Sequence, residues 1–242
     1  MFLNFVPREK RIAYAASIGN PVIPDNRKEI FRRSISDFAY VSVREEHAAK
    51  LIEELTGRKP LVLLDPVFLL TQYEWLAVSQ KPTWLKEKYR RGYVLTYYLR
   101  KSPTHTSKTF ADKLNLPVIN LLDVANYNHF TVGPAEFIWL FAHASLIFTN
   151  SFHGLAFSIL FKRPFLNREL DNDKDGVAMS SRITSLLKLF GLPERSVQDE
   201  DKFTLDELLA IDFSRRDKVL PIERARAFNF LSTALLSGGE AK

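Results

Sequence analysis

The sequence predicts an α/β fold, a Rossmann-like parallel sheet with helices on both faces. Three observations predict it. Short apolar runs alternate along the chain with amphipathic runs of helical spacing. Most of the apolar runs lack a period-two pattern, as strands buried on both faces do. Turn-forming residues punctuate the joints, and neither an internal repeat nor a low-complexity tract interrupts the alternation.

Taken in order, RIAYAASIG (Arg11–Gly19) reads as a buried strand closed by glycine. NRKEIFRRSISDF then places Ile30, Phe31, Ile35 and Phe38 at helical spacing. AYVSVRE is a Val- and Tyr-rich strand that runs out into charge at Arg44. In EEHAAKLIEELTGRKP, Ala48, Leu51, Ile52 and Leu55 form the apolar stripe of a helix that Gly57 and Pro60 end. LVLLDP is a strand stopped by Pro66. A Trp-rich connector leads to the strand YVLTYYL, the helix SKTFADKLNLP with Ser107 or its neighbour as N-cap, and the strand PVINLLD. GPAEFIWLFAHA is a helix with Pro134 in its first turn, where the missing N–H costs nothing. SLIFTN is a strand, FHGLAFSILFK a helix and FLNREL a strand. DNDKDG (Asp171–Gly176) reads as a mobile loop, and SSRITSLLKLFGL as a helix ended by Gly191. ERARAFNFLSTALLSGG is a last amphipathic helix, and residues 1–242 read as a single domain.

Composition narrows the function. With 46% hydrophobic residues and 19 phenylalanines, the chain predicts a sizeable aromatic-rich core. It has no cysteine, which excludes disulfides, cysteine-based zinc sites and thiol nucleophiles. No apolar stretch approaches the roughly 18 residues of a membrane span. MFLNFVPREKR is too short and too quickly charged for a signal peptide, so a cytoplasmic protein is expected. The net charge of +6 suits anionic ligands, yet REEHAAK, KEKYRR and DFSRRDK all mix signs. No basic block resembles a nucleic-acid arm, and no nucleic-acid partner is predicted. No histidine and carboxylate pair has metal-ligand spacing, so no metal site is predicted. The glycine-rich nucleotide fingerprints and GxSxG are missing as well.

In an open parallel sheet, ligands bind beyond the carboxyl ends of the strands, where the next helices begin. Two such joints carry unusual chemistry. One delivers Arg44; the other, TNSFHG, delivers Asn150, Ser151 and His153. A helix start with free N–H groups, an arginine fork and an imidazole could together hold an anion. Each residue also has a bland reading. Arg44 pairs with Glu45 or another carboxylate, Ser151 or Asn150 is an N-cap, and His153 is a packed core histidine.

Several of these runs resemble one family. YVSVREEHAAKLIEELTGRKPLVLLDPVFLL resembles the S-V-R-E and D-P-x-x-L-L block of the polysaccharide pyruvyl transferases. GPAEFIWLFAHASLIFTNSFHGLAFSILFKRPF resembles that family's G-P-x-E-F and S-F-H-G block. RIAYAASIGN and SSRITSLLKLFGL resemble two further motifs in register, so the likeness runs from about Arg11 to Leu192.

The resemblance implies a GT-B-like architecture of which this chain holds the C-terminal, donor-binding half, the N-terminal domain being absent. It implies transfer of a pyruvyl group from phosphoenolpyruvate to a sugar of an exopolysaccharide or its lipid-linked precursor. The product is a ketal. No cofactor beyond the donor is implied, and a lipid-linked acceptor would place the protein peripherally at the inner face of the membrane. His153 matches the S-F-H-G histidine and takes the acid–base or donor-binding role; Arg44 matches the S-V-R-E arginine and takes donor binding. Asn150, Ser151 and Gly154 join the donor site, Gly154 by letting the helix start approach closely. Lys174 or Arg182 is the expected second cation. Two other classes fit the same chain. One is a GT-B glycosyltransferase using a nucleotide sugar. The other is a non-catalytic half-domain that binds an anionic ligand, a partner chain or a second copy of itself.

Overall fold

The computed structural model describes residues 3–19, 22–99, 105–168, 174–198 and 202–237. In chain order its elements begin with β1 (Ile12–Ala16), α1 (Asp25–Ser36), β2 (Tyr40–Val43), α2 (Glu46–Thr56) and β3 (Leu61–Val62). There follow α3 (Gln72–Ala77), β4 (Val94–Tyr97), α4 (His105–Leu114), β5 (Val118–Leu121), α5 (Tyr127–Phe130) and α6 (Pro134–His143). The remainder is β6 (Leu146–Thr149), α7 (Phe152–Leu160), β7 (Phe165–Arg168), α8 (Lys174–Phe190), β8 (Ser196–Val197), α9 (Leu205–Leu209) and α10 (Ser214–Ser237). Every strand pairing is parallel, and helices flank the sheets, as the sequence predicts.

The strands do not form one sheet. Where the sequence predicts one domain, the described residues make two compact units. The first holds residues 1–69, 172–186 and 217–242; the second holds 70–171 and 187–216. Each sheet has its own core. Pro66, which cannot donate to a ladder, follows the short third strand and opens a 3₁₀ turn at the end of the first unit's opening stretch.

In the first unit β1, β2 and β3 lie in that order. One face packs Ile35, Val43, Ala48 and Ile52 between the sheet and helices α1 and α2. The other face packs Leu63 against Phe230 and Ala234 of α10. Phe230 meets Tyr14 and Tyr40, each at 6.2 Å, so the last helix covers this sheet, while its Phe228, Leu235 and Leu236 stay exposed. Strand β1 bulges between Ala13 and Ala16, with Ala15 at φ +44°. The Ser42 hydroxyl repairs the ladder there: it accepts from Ala15 N at 2.9 Å and donates to Ala13 O at 3.2 Å. A cavity of about 1000 Å³ is lined by Ile12, Tyr14, Ile18, Val22, Phe31 and Val41.

In the second unit five strands run in the order β5-β4-β6-β7-β8. Val94, Leu146, Phe148 and Leu166 face Phe110 and Ala111 of α4 and Leu208 of α9. Tyr97 points to the opposite face, against Phe137 and Phe141 of α6. All four residues of β6 are buried, which explains their unbroken apolar pattern. The chain goes from β4 outward to β5, then returns to β6 on β4's other side. The order therefore reverses between β4 and β6, a topological switch point.

Some boundaries differ from the sequence reading. Ser107 is the third residue of α4 and buried, so it is not an N-cap. Of the predicted loop Asp171–Gly176, residues 171–173 lie outside the described residues and Lys174 opens α8. Helices α3 and α9 were not predicted, although each starts with a capping box, Thr71 with Glu74 and Thr204 with Glu207. No helix among the described residues is long and apolar enough to cross a membrane.

His129, in α5, is buried, with its ring 5.2 Å from Trp84 and no hydrogen bond to Nδ1 among the described residues. Burial depresses its pKa below 6.5, helped by Lys88 and opposed by Asp123. The folded state thus favours the neutral ring, and its contribution to stability is complete above pH 6.5 and declines as the pH falls below that value. Urea unfolding at pH 7.5 and pH 5.5 should show a larger loss of stability for the wild type than for His129→Gln. Equal losses would mean that the buried imidazole is not the acid-sensitive group.

Candidate functional site

The second unit's switch point is built from the end of β6. The Thr149 hydroxyl donates to Tyr97 O at 2.7 Å and accepts from Ser151 N at 3.0 Å. The Asn150 carboxamide oxygen accepts from Leu99 N at 2.7 Å, and Asn150 N donates to Tyr97 O at 3.4 Å. These bonds stitch the carboxyl ends of β4 and β6 together. Ser151 is the N-cap of α7, its hydroxyl accepting from Gly154 N at 3.4 Å. Asn150 and Ser151 are buried, so their polar atoms are spent largely on shaping the turn.

His153 is different. It is the second residue of α7 and exposed, whereas Phe152, Gly154 and every residue from Leu155 to Leu160 are buried. The packed-core reading of His153 therefore does not apply. Its ring stands edge-on to Phe152 at 5.6 Å. Gly154 also answers a packing demand. A Cβ there would lie 2.6 Å from Thr149 Oγ1 and 3.3 Å from the Phe141 ring. Only glycine lets α7 start so close to the strand it follows.

The first unit gathers a charged cluster beyond the ends of its strands. Arg44 Nη1 donates to Asp65 Oδ2 at 2.6 Å, and Arg44 Nε lies 3.8 Å from Glu45 Oε2. Asp65 Oδ1 accepts from Val67 N at 3.0 Å, capping the turn that starts at Pro66. Glu45 Oε1 accepts from the Ser17 hydroxyl and from Ile18 N, both at 2.9 Å. Burial pushes the Glu45 carboxyl up, opposed by the Ser17 and Ile18 hydrogen bonds and by Arg44 and Arg182. Arg182 of α8 feels the same cluster. Burial and repulsion by Arg44 lower its pKa, while Glu45 and Asp65 oppose the shift. Tyr14, whose hydroxyl donates to Leu64 O at 2.8 Å, is raised by burial and by Asp65.

The predicted site residues thus fall into two groups. Asn150, Ser151, His153 and Gly154 share one turn of the second unit; Arg44 and Arg182 share one cluster of the first. Lys174 is the opening residue of α8. Thr149, Ser17 and Asp65 carry no site role in the sequence reading, although Asp65 stands within the D-P run, and Glu45 enters it only as a pairing partner of Arg44. Sequence exposes their type but not their direction. From the contacts at the α7 start, Gly154→Ala should lower stability by about 2 kcal/mol, the size of a core overpacking defect. Chemical denaturation measures it; a loss under about 0.5 kcal/mol would show that the helix start can shift.

No curated protein matches the chain. A solved structure of the wall teichoic acid polymerase TagF, soaked with CDPG, is similar at 16% identity and a TM-score of 0.43. The likeness covers 95% of this chain and 63% of that one, so this chain spans less than two thirds of that polymerase's length. The family model for polysaccharide pyruvyl transferase matches residues 1–172, which takes in Arg44 and the turn from Asn150 to Gly154 and stops short of Lys174 and of the SSRITSLLKLFGL helix that carries Arg182. With most of its length matched, the chain belongs to the polysaccharide pyruvyl transferase family.

Proposed function

We propose that the chain serves the transfer of a pyruvyl group from phosphoenolpyruvate to a saccharide, as the donor-binding half of a GT-B-like enzyme. The observation that carries this reading is the exposed His153 on the α7 start at the switch point of a parallel sheet. In the reaction, a proton adds to the methylene carbon of the donor and one sugar hydroxyl attacks the adjacent carbon. A second hydroxyl of the sugar then displaces phosphate, closing the ketal. His153 is the acid–base group, since an imidazole both gives and takes protons near neutral pH. The turn of Asn150, Ser151 and Gly154 orients it. Arg44, with Lys174 or Arg182 as the second cation, takes the donor's phosphate and carboxylate. The acceptor is a sugar of an exopolysaccharide or of its lipid-linked precursor, the latter met at the inner face of the membrane.

Calorimetric titration with phosphoenolpyruvate tests the donor assignment. The wild type should bind saturably, and Arg44→Lys, which keeps the charge but loses the fork, should bind about tenfold more weakly. His153→Ala should lower turnover by roughly 10²- to 10⁴-fold in the presence of an acceptor. A folded wild type that binds a nucleotide sugar but not phosphoenolpyruvate would reject the pyruvyl reading in favour of glycosyl transfer.

A second reading, in which the chain acts joined to a partner, is favoured by the apolar cavity of the first unit, where Val22 is 68% exposed. Sedimentation velocity over a hundredfold concentration range distinguishes the two. Self-association on this surface should weaken with Val22→Asp. A monomer at every concentration that binds the donor would remove the need for a partner.

A further inference from the structure

The geometry points to Glu45 as the positioning residue of Arg44, the brace that fixes the guanidinium against the ends of three strands. Glu45 stands at the N-cap position of α2, at φ −135° and ψ 144°, yet its side chain makes no cap hydrogen bond to its own helix. The carboxylate turns instead to the end of β1. There Oε1 takes both the Ser17 hydroxyl and the Ile18 N–H. Oε2 accepts no hydrogen bond among the described residues and lies 3.8 Å from Arg44 Nε. The residue is fully buried.

A buried carboxylate that declines to cap its helix needs compensation elsewhere. Here the compensation is positional. Glu45 holds one edge of the guanidinium through its charge, and Asp65 holds the other through the 2.6 Å bond to Nη1. Asp65 is fixed in turn by Val67 N. Ser17 follows β1, Arg44 and Glu45 follow β2, and Asp65 lies just past β3, so the chain of contacts links three strand ends. Removing the Glu45 charge would take away one of the contacts that direct the guanidinium. This inference rests on the donor-binding role proposed for Arg44, and it names what gives that arginine its direction.

The test uses the full chain and Glu45→Gln, whose amide oxygen still accepts from Ser17 and Ile18 but carries no charge. Two readouts are needed. The first is the Nε–Hε resonance of Arg44 in a ¹⁵N-labelled sample, assigned by its loss in Arg44→Lys. It should shift or broaden in Glu45→Gln while the melting temperature changes little. The second is the affinity for phosphoenolpyruvate, which should fall on the order of tenfold, as for other misplacements of a positioned group. An unmoved Arg44 resonance in the folded variant, or an unchanged affinity, overturns the inference. If the wild type binds no phosphoenolpyruvate, the proposed donor role fails while the resonance still decides the role of Glu45. Should Glu45→Gln not fold, Ser17→Ala, which releases Oε1, should move the same resonance, and an unmoved one overturns the inference.

Discussion

The pairing of β4 with β6 is the constraint on which the candidate site depends. Both strands are buried on both faces, so neither can stand at a solvated edge without large hydrophobic cost. Their four-residue ladder, Val94 with Leu146 through Tyr97 with Thr149, brings their carboxyl ends level. Thr149 and Asn150 then close that end by bonding to Tyr97 and Leu99. Helix α7 is forced to begin directly above, which is why its third residue has no room for a side chain. The exposure of His153 follows: it is the one position of the α7 start that the sheet does not claim.

In the first unit the governing problem is electrostatic. Two arginines and two carboxylates stand beyond strand ends in a buried setting, where each lone charge would cost several kcal/mol. The structure meets that cost by sharing. Asp65 serves a backbone N–H and Arg44 together, and Glu45 serves a hydroxyl, a backbone N–H and the arginine's charge. Such sharing fixes directions as well as energies, because few geometries satisfy all the partners at once. The β1 bulge beside the cluster belongs to the same economy of partners, with Ser42 restoring what the irregular strand leaves open.

Much of this was legible in the sequence. The unbroken apolar character of SLIF reported a doubly buried strand, and Gly57 reported a helix end that the structure gives at φ +71°. The S-F-H-G and S-V-R-E runs marked the two strand ends. The division into two sheets was not legible, because periodicity within a strand is silent about which strands pair. Glu45 read as one of the carboxylates that could pair with Arg44, since sequence cannot show that its carboxylate turns toward Ser17. Gly154 read as room for the helix start to approach a ligand, and sequence could not show that a side chain there would also meet Thr149 and Phe141. The capping boxes at Thr71 and Thr204 were visible but short, and the helices they start have only six and five residues.

The central claim is that the donor is met at the start of α7. The most direct measurement is the imidazole spectrum of His153 by NMR, assigned with His153→Ala, during titration with phosphoenolpyruvate. The account predicts that the His153 ring resonances and the Gly154 amide shift together and saturate at the same donor concentration. Saturable binding that leaves both unmoved would contradict it, and would place the donor elsewhere on the chain.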